Sequence, residues 1–118
     1  MTGFTSEQTR VAIWRDGGKC CLCGGKAEVA NHRINRGMGG RPSLNILSNA
    51  CALCHTCNGA IESDPELQRR ARTLGIKLVD GTTPADESYL SPFYGLPVWP
   101  RDDGDLTFVP PAEYEAST

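Results

Sequence analysis

Two cysteine pairs constrain this chain more than any other feature. Cys20 and Cys23 sit two residues apart in CCLC, Cys54 and Cys57 do the same in CHTC, and thirty residues lie between the pairs. That spacing lets one tight turn present two thiolates to a single ion, and two such turns complete a tetrahedral sulfur shell that selects zinc and leaves no open position. Cys20, Cys23, Cys54 and Cys57 are therefore expected to hold a structural Zn²⁺. Cys51-x-x-Cys54 is a competing pair, but a strand reading places Cys51 before the turn, and Cys20 with Cys23 is the x-x spacing in the first cluster. Cys21 and Cys51 are then buried thiols or spares; His55 could replace a cysteine as ligand, but four sulfurs already fill the shell, and a polar surface residue within the knuckle is expected. A chain of 118 residues buries a modest core, so a metal staple suits it.

The first residues, MTGFTSEQTR, have neither a basic n-region nor an apolar h-region, and no run of about 18 apolar residues occurs. Reduced thiols in an intracellular setting are expected, not disulfides. The formal net charge of −2 conceals a division. Residues 1–77 carry eleven Lys/Arg against six Asp/Glu, a net of +5, whereas residues 78–118 carry Arg101 against eight acids, a net of −7. A basic working body over 1–77, with an acidic, proline-rich extension over 78–118 packed on it, is the expected organisation.

Thr5 and Gln8 form a capping box that starts a helix, with Val11, Ile13 and Trp14 as its apolar side and Gly17-Gly18 as its stop. Residues 27–34, AEVANHRI, read as a short strand, and the glycine-rich RGMGGRPS after them as a loop. Residues 44–53 return as a second strand, and a short helix follows the knuckle over about 58–63. Asp64-Pro65-Glu66 starts a further helix that ends at Gly75, with Leu67, Ala71 and Leu74 on its buried face. GIKLV reads as a strand, TTPADES as a linker, PVWPRDDGDLTFVPP as a hairpin turning near Asp103-Gly104, and AEYEAST as a frayed end. The fold class is a small α+β domain.

Asn31 and His32 lie in the first strand, Asn49 precedes Cys54 by five residues, and Asn58 directly follows Cys57. EVANHRI, a glycine loop and NACALCHTCNG in that order resemble the HNH endonuclease family, most of all its small bacteriophage-encoded members. The likeness covers Cys20 to about Pro65 and implies a ββα-metal, treble-clef-like core of about residues 20–65, stapled by the four-cysteine zinc and flanked by helices and the C-terminal hairpin. It also implies roles: His32 as the general base, Asn31 and Asn58 as ligands of a catalytic Mg²⁺ or Mn²⁺, and Asn49 as the residue that pins the glycine loop. A neutral imidazole can take a proton from water near pH 7, and a divalent cation stabilises the charge that grows on phosphate oxygens. Adjacent strand residues point to opposite faces, so Asn31 and His32 need a local twist to serve one site.

The chain departs from the family where Asn31 and Asn58 offer neutral amides instead of Asp or His. A cation should bind weakly there without DNA, with the substrate phosphate supplying charge. Glu62, four residues after Asn58 and hence on the same helical face, is an additional candidate ligand, with a solvated helix acid as its other reading. Arg33, Arg36 and Arg41 flank the loop and are expected to contact DNA phosphates, giving low sequence preference and high salt sensitivity. The resemblance further implies a terminase partner in phage DNA packaging and the cytoplasm of a bacterial host. A junction-resolving HNH-like nuclease and a noncatalytic zinc module binding DNA or protein are the competing readings.

Overall fold

The computed structural model describes residues 3–35 and 41–116. Helix α1 (Ser6–Arg15) begins on the expected capping box: the Thr5 side chain accepts from the Gln8 backbone, and the Gln8 side chain accepts from the Thr5 backbone. Gly17 and Gly18, at φ 68° and 77°, turn the chain out of the helix. The buried face of α1 is not the expected one. Ala12 and Arg15 are buried, while Trp14 is 78% exposed. Arg15 reaches inward because its guanidinium donates to the carbonyls of Leu47 and Ala50, which offset the cost of burying the charge.

The first knuckle closes through backbone bonds from Cys20 N to the Gly25 carbonyl at 2.7 Å and from Gly24 N to the Cys20 carbonyl at 2.8 Å. Strand β1 (Val29–His32) then pairs antiparallel with β2 (Ala50–Leu53), with Asn31 opposite Cys51 and His32 opposite Ala50. Both strands are shorter than the sequence suggests. Residues 42–49 form two 3₁₀ turns, Pro42–Leu44 and Leu47–Asn49, so the return strand starts only at Ala50. Every residue of β2 is buried, and its other edge takes a bond from Cys21 N to the Ala52 carbonyl.

Helix α2 (His55–Ala60) starts three residues earlier than expected because Cys54 is its N-cap, the sulfur accepting from Cys57 N. Helix α3 (Pro65–Thr73) begins as expected, with the Asp64 carboxylate accepting from Glu66 N and Leu67 N. Ala71 is buried, and Leu67 and Leu74 pack on the core. Gly75 follows at φ 82°, where a Cβ would run into the Ser88 carbonyl, so glycine is required twice over.

Residues 75–79 form no strand; Leu78 N instead donates to the Arg33 carbonyl. The C-terminal part is a three-stranded sheet in the order β3 (Tyr89–Leu90), β4 (Pro97–Pro100), β5 (Leu106–Thr107). The expected hairpin is its β4–β5 half, with Gly104 at φ 97° in the turn. Helix α4 (Pro111–Ala116) takes in most of the AEYEAST stretch expected to be frayed. One apolar cluster, including Cys21, Leu22, Cys51, Leu53, Ile61, Ile76, Tyr89 and Val98, joins the knuckles, α3 and the second sheet.

Candidate metal centre and adjoining cleft

The two knuckles bring the sulfurs of Cys20, Cys23, Cys54 and Cys57 within 4.8 Å of one another. Zn–S bonds of about 2.3 Å in a tetrahedron require sulfurs about 3.8 Å apart. Cys23 Sγ and Cys54 Sγ are 3.8 Å apart. Gly25 N and Cys57 N donate to Cys23 Sγ and Cys54 Sγ, at 3.4 and 3.3 Å. Burial pushes the Cys20 thiol up, but backbone N–H groups of Cys23, Cys54 and Leu22 outweigh it and bring it down to about 7. Burial, with the neighbouring Cys54 side chain, drives Cys57 the other way, which a bound cation would reverse. Four convergent sulfurs with this spacing fit a structural metal such as zinc.

Cys21 and Cys51 lie outside this shell, both buried in the apolar core. His55 is exposed, and its backbone N–H donates to Glu28 Oε1 at 3.1 Å. Among the described residues no second group of three or more His, Cys, Asp or Glu side chains converges.

A surface cleft of about 360 Å³ opens beside the metal centre, lined by Gly3, Phe4, Thr9, Val29, Ala30, Asn31, His32 and Asn58. Asn31 and His32 thus border one space despite being neighbours in a strand, His32 being the last residue of β1. Asn31 Nδ2 donates to Asn58 Oδ1 at 2.9 Å, while the buried Asn31 Oδ1 has no hydrogen-bond partner. A buried, unsatisfied carbonyl oxygen costs roughly 1–3 kcal/mol, so it is a position where a cation would be welcome. Asn58 Oδ1 meets the amide nitrogen end of Asn31, away from the unpartnered oxygen.

His32 Nε2 lies 2.7 Å from Asn45 Oδ1, and its ring stacks on Phe4 with centroids 4.0 Å apart and planes at 13°. Asn49, fully buried, accepts from Ile34 N at 2.8 Å and donates to the carbonyls of Ile34 and Leu44 at 3.2 and 3.0 Å. It therefore ties together the two ends of the loop that leaves β1 just after His32. Lys77 adds a second tie, its Nζ donating to the His32 carbonyl at 2.7 Å and to Asn35 Oδ1 at 2.8 Å. Burial pushes the Lys77 ammonium below its usual range.

Two of the expected site residues sit elsewhere. Glu62 follows the end of α2 and borders a separate small cleft with Asn35, Gln68, Arg72 and Lys77, so the helical spacing that would have brought it to Asn58 does not exist. Arg33 is 0% exposed. Its guanidinium donates to the carbonyls of Ser48, Gly75, Pro84, Glu87 and Ser88, which removes it from the set of phosphate contacts. Arg41 is at the surface in a two-pronged pair with Asp80, at 2.8 and 3.0 Å. Arg36 lies outside the described residues. Phe4, Asn45 and Lys77 carry no motif in the sequence, and Gln8 is legible there only as a capping residue.

Comparison with protein-family models, with curated proteins and with solved structures returned no match. No helix among the described residues is long and apolar enough to cross a membrane.

Proposed function

We propose that this chain is a small metal-dependent DNA endonuclease or nickase with a ββα-metal core of the HNH type, in which His32 is the general base. The observation that carries the reading is the cleft lined by His32, Asn31 and Asn58, one of whose lining residues, Asn31, has its carbonyl oxygen buried without a partner. In the tautomer that donates Nε2–H to Asn45, the imidazole lone pair is on Nδ1. His32 takes a proton from a water as the water oxygen bonds to phosphorus. The P–O3′ bond breaks in line with that attack, and the leaving oxygen takes a proton from solvent. The products are a 3′-hydroxyl and a 5′-phosphate. A divalent cation such as Mg²⁺ or Mn²⁺, when bound, would supply charge stabilisation to the phosphate.

Asn31 and Asn58 would hold such a cation through their oxygens, and the substrate phosphate would supply the negative charge that these amides lack. Asn49 and Lys77 hold the backbone that leaves His32, and the four-cysteine centre fixes the turn that leads into Asn58. DNA contact falls to Arg41 and Arg36, with Arg33 withdrawn into the core. A terminase partner, and with it a phage-infected bacterial host, follows from the resemblance alone.

A noncatalytic zinc module is favoured by one feature: Asn31 and Asn58 already satisfy each other in part, with no carboxylate among the described residues that line their cleft. An added acid separates the two readings. Asn31→Asp places a carboxylate at the cleft, so the Mn²⁺ concentration giving half-maximal plasmid nicking should fall roughly tenfold, since ligand charge tunes affinity for hard cations. A Mn²⁺ requirement that does not change would count against Asn31 as a ligand.

A further inference from the structure

The N-terminal cap of α1 and the proposed base are connected by a chain of contacts. Gln8 Oε1 accepts from Thr5 N at 2.9 Å, which fixes the orientation of its amide. Its Nε2 therefore faces the other way and donates to the Asn45 carbonyl at 2.9 Å. Asn45 N donates to the Pro42 carbonyl at 3.0 Å, so the Asn45 backbone is held from two sides. From that anchored position Asn45 Oδ1 meets His32 Nε2 at 2.7 Å. An amide oxygen only accepts, so the imidazole nitrogen facing it must carry the proton.

Phe4, the residue just before the helix cap, completes the arrangement. Its ring lies nearly parallel to the imidazole, with 13° between planes and 4.0 Å between centroids. Stacking fixes the plane of the imidazole but not which way round it sits, because a half-turn leaves the plane unchanged. The hydrogen bond to Asn45 favours one of the two.

We infer that Asn45, anchored to the α1 cap through Gln8, is a positioning residue that holds the His32 imidazole in its Nε2–H form against the face of Phe4. The inference rests on the nuclease reading only for its consequence in catalysis; the state of the ring is a property of the chain itself. A base held in one tautomer and one orientation presents its lone pair at a fixed place, and loss of such alignment costs on the order of 10²-fold in rate.

Long-range ¹H–¹⁵N NMR of the full-length, zinc-loaded protein reads the tautomer of His32 directly, and His32→Ala assigns its signals apart from those of His55. The wild type should show Nε2–H, Asn45→Asp should keep it because a carboxylate still accepts, and Asn45→Ala should give a mixture of the two tautomers. In plasmid nicking, Asn45→Ala should lower kcat about 10²-fold with KM nearly unchanged. A wild type carrying Nδ1–H, or an Asn45→Ala spectrum identical to wild type, overturns the clamp. Should Asn45→Ala fail to fold, loss of Nε2–H in Asn45→Asp overturns it equally. The spectra decide this whether or not DNA is cut, whereas an inactive wild type with the expected spectra overturns the nuclease reading and leaves the clamp standing.

Discussion

Arg33 and His32 are neighbours in sequence with opposite fates. His32 ends a strand at the edge of a cleft, while Arg33 turns inward, where five carbonyls meet its guanidinium and its charge lies 5.4 Å from the centroid of the Tyr89 ring. Nothing local distinguishes an arginine that meets phosphate from one that meets carbonyls. The partners of Arg33 come from positions 48, 75, 84, 87 and 88, and only the folded chain assembles them. Arg33→Met should therefore cost at least about 3 kcal/mol, because it leaves several buried carbonyls unsatisfied at once. Arg33→Lys should recover little, since one ammonium cannot reproduce the planar fork. Urea unfolding of the zinc-loaded protein measures both; a loss under about 1 kcal/mol would contradict the placement of Arg33 as a buried hub.

Among the helices and strands, what is legible in the sequence is what local chemistry decides. The capping box at Thr5–Gln8 and the Asp64-Pro65-Glu66 start both specify where a helix begins, independent of the rest of the chain. The cysteine spacing is similarly self-contained, and the four sulfurs converge as expected. Helix α2 starts three residues earlier than its sequence suggests because its cap is a cysteine sulfur, not one of the usual capping oxygens. The return strand is shorter than its apolar content suggests because Asn49 draws LNILS into 3₁₀ turns by bonding to Ile34 and Leu44. Hydrophobicity alone favours Trp14 for the core, but the small Ala12 and the carbonyl-bound Arg15 take the inner face.

The knuckles carry their own prediction. One Zn²⁺ per chain should be released by thiol modification, as followed with a metallochromic dye, and Cys57→Ser should lose most of that zinc. Because the same sulfurs start α2 and hold the first knuckle, metal loss should also reduce the far-UV CD signal and expose the core. Full retention of zinc by Cys57→Ser would place the ion elsewhere.

Across the full length of the chain, the acidic extension is built into the basic body. Asp16 is fully buried and accepts from Tyr89 Oη at 2.6 Å and Ser91 Oγ at 2.7 Å, while Arg33 collects carbonyls from 84, 87 and 88. Charge separation along the chain is thus no sign of a detachable tail. The same Arg33 donates to the Gly75 carbonyl, and Lys77 donates to the His32 carbonyl, so residues far along the chain support the backbone beside His32. In the nuclease reading the extension is part of the support for the base.

That reading depends most on His32. Conversion of supercoiled plasmid to nicked circles by the zinc-loaded protein, with Mg²⁺ or Mn²⁺ and with neither, tests it when wild type is compared with His32→Ala. Nicking should require the added cation and fall by at least about 10²-fold in His32→Ala, the usual contribution of a general base. Equal activity in the two proteins, or none in the wild type with either cation, would contradict His32 as the base of a metal-dependent nuclease.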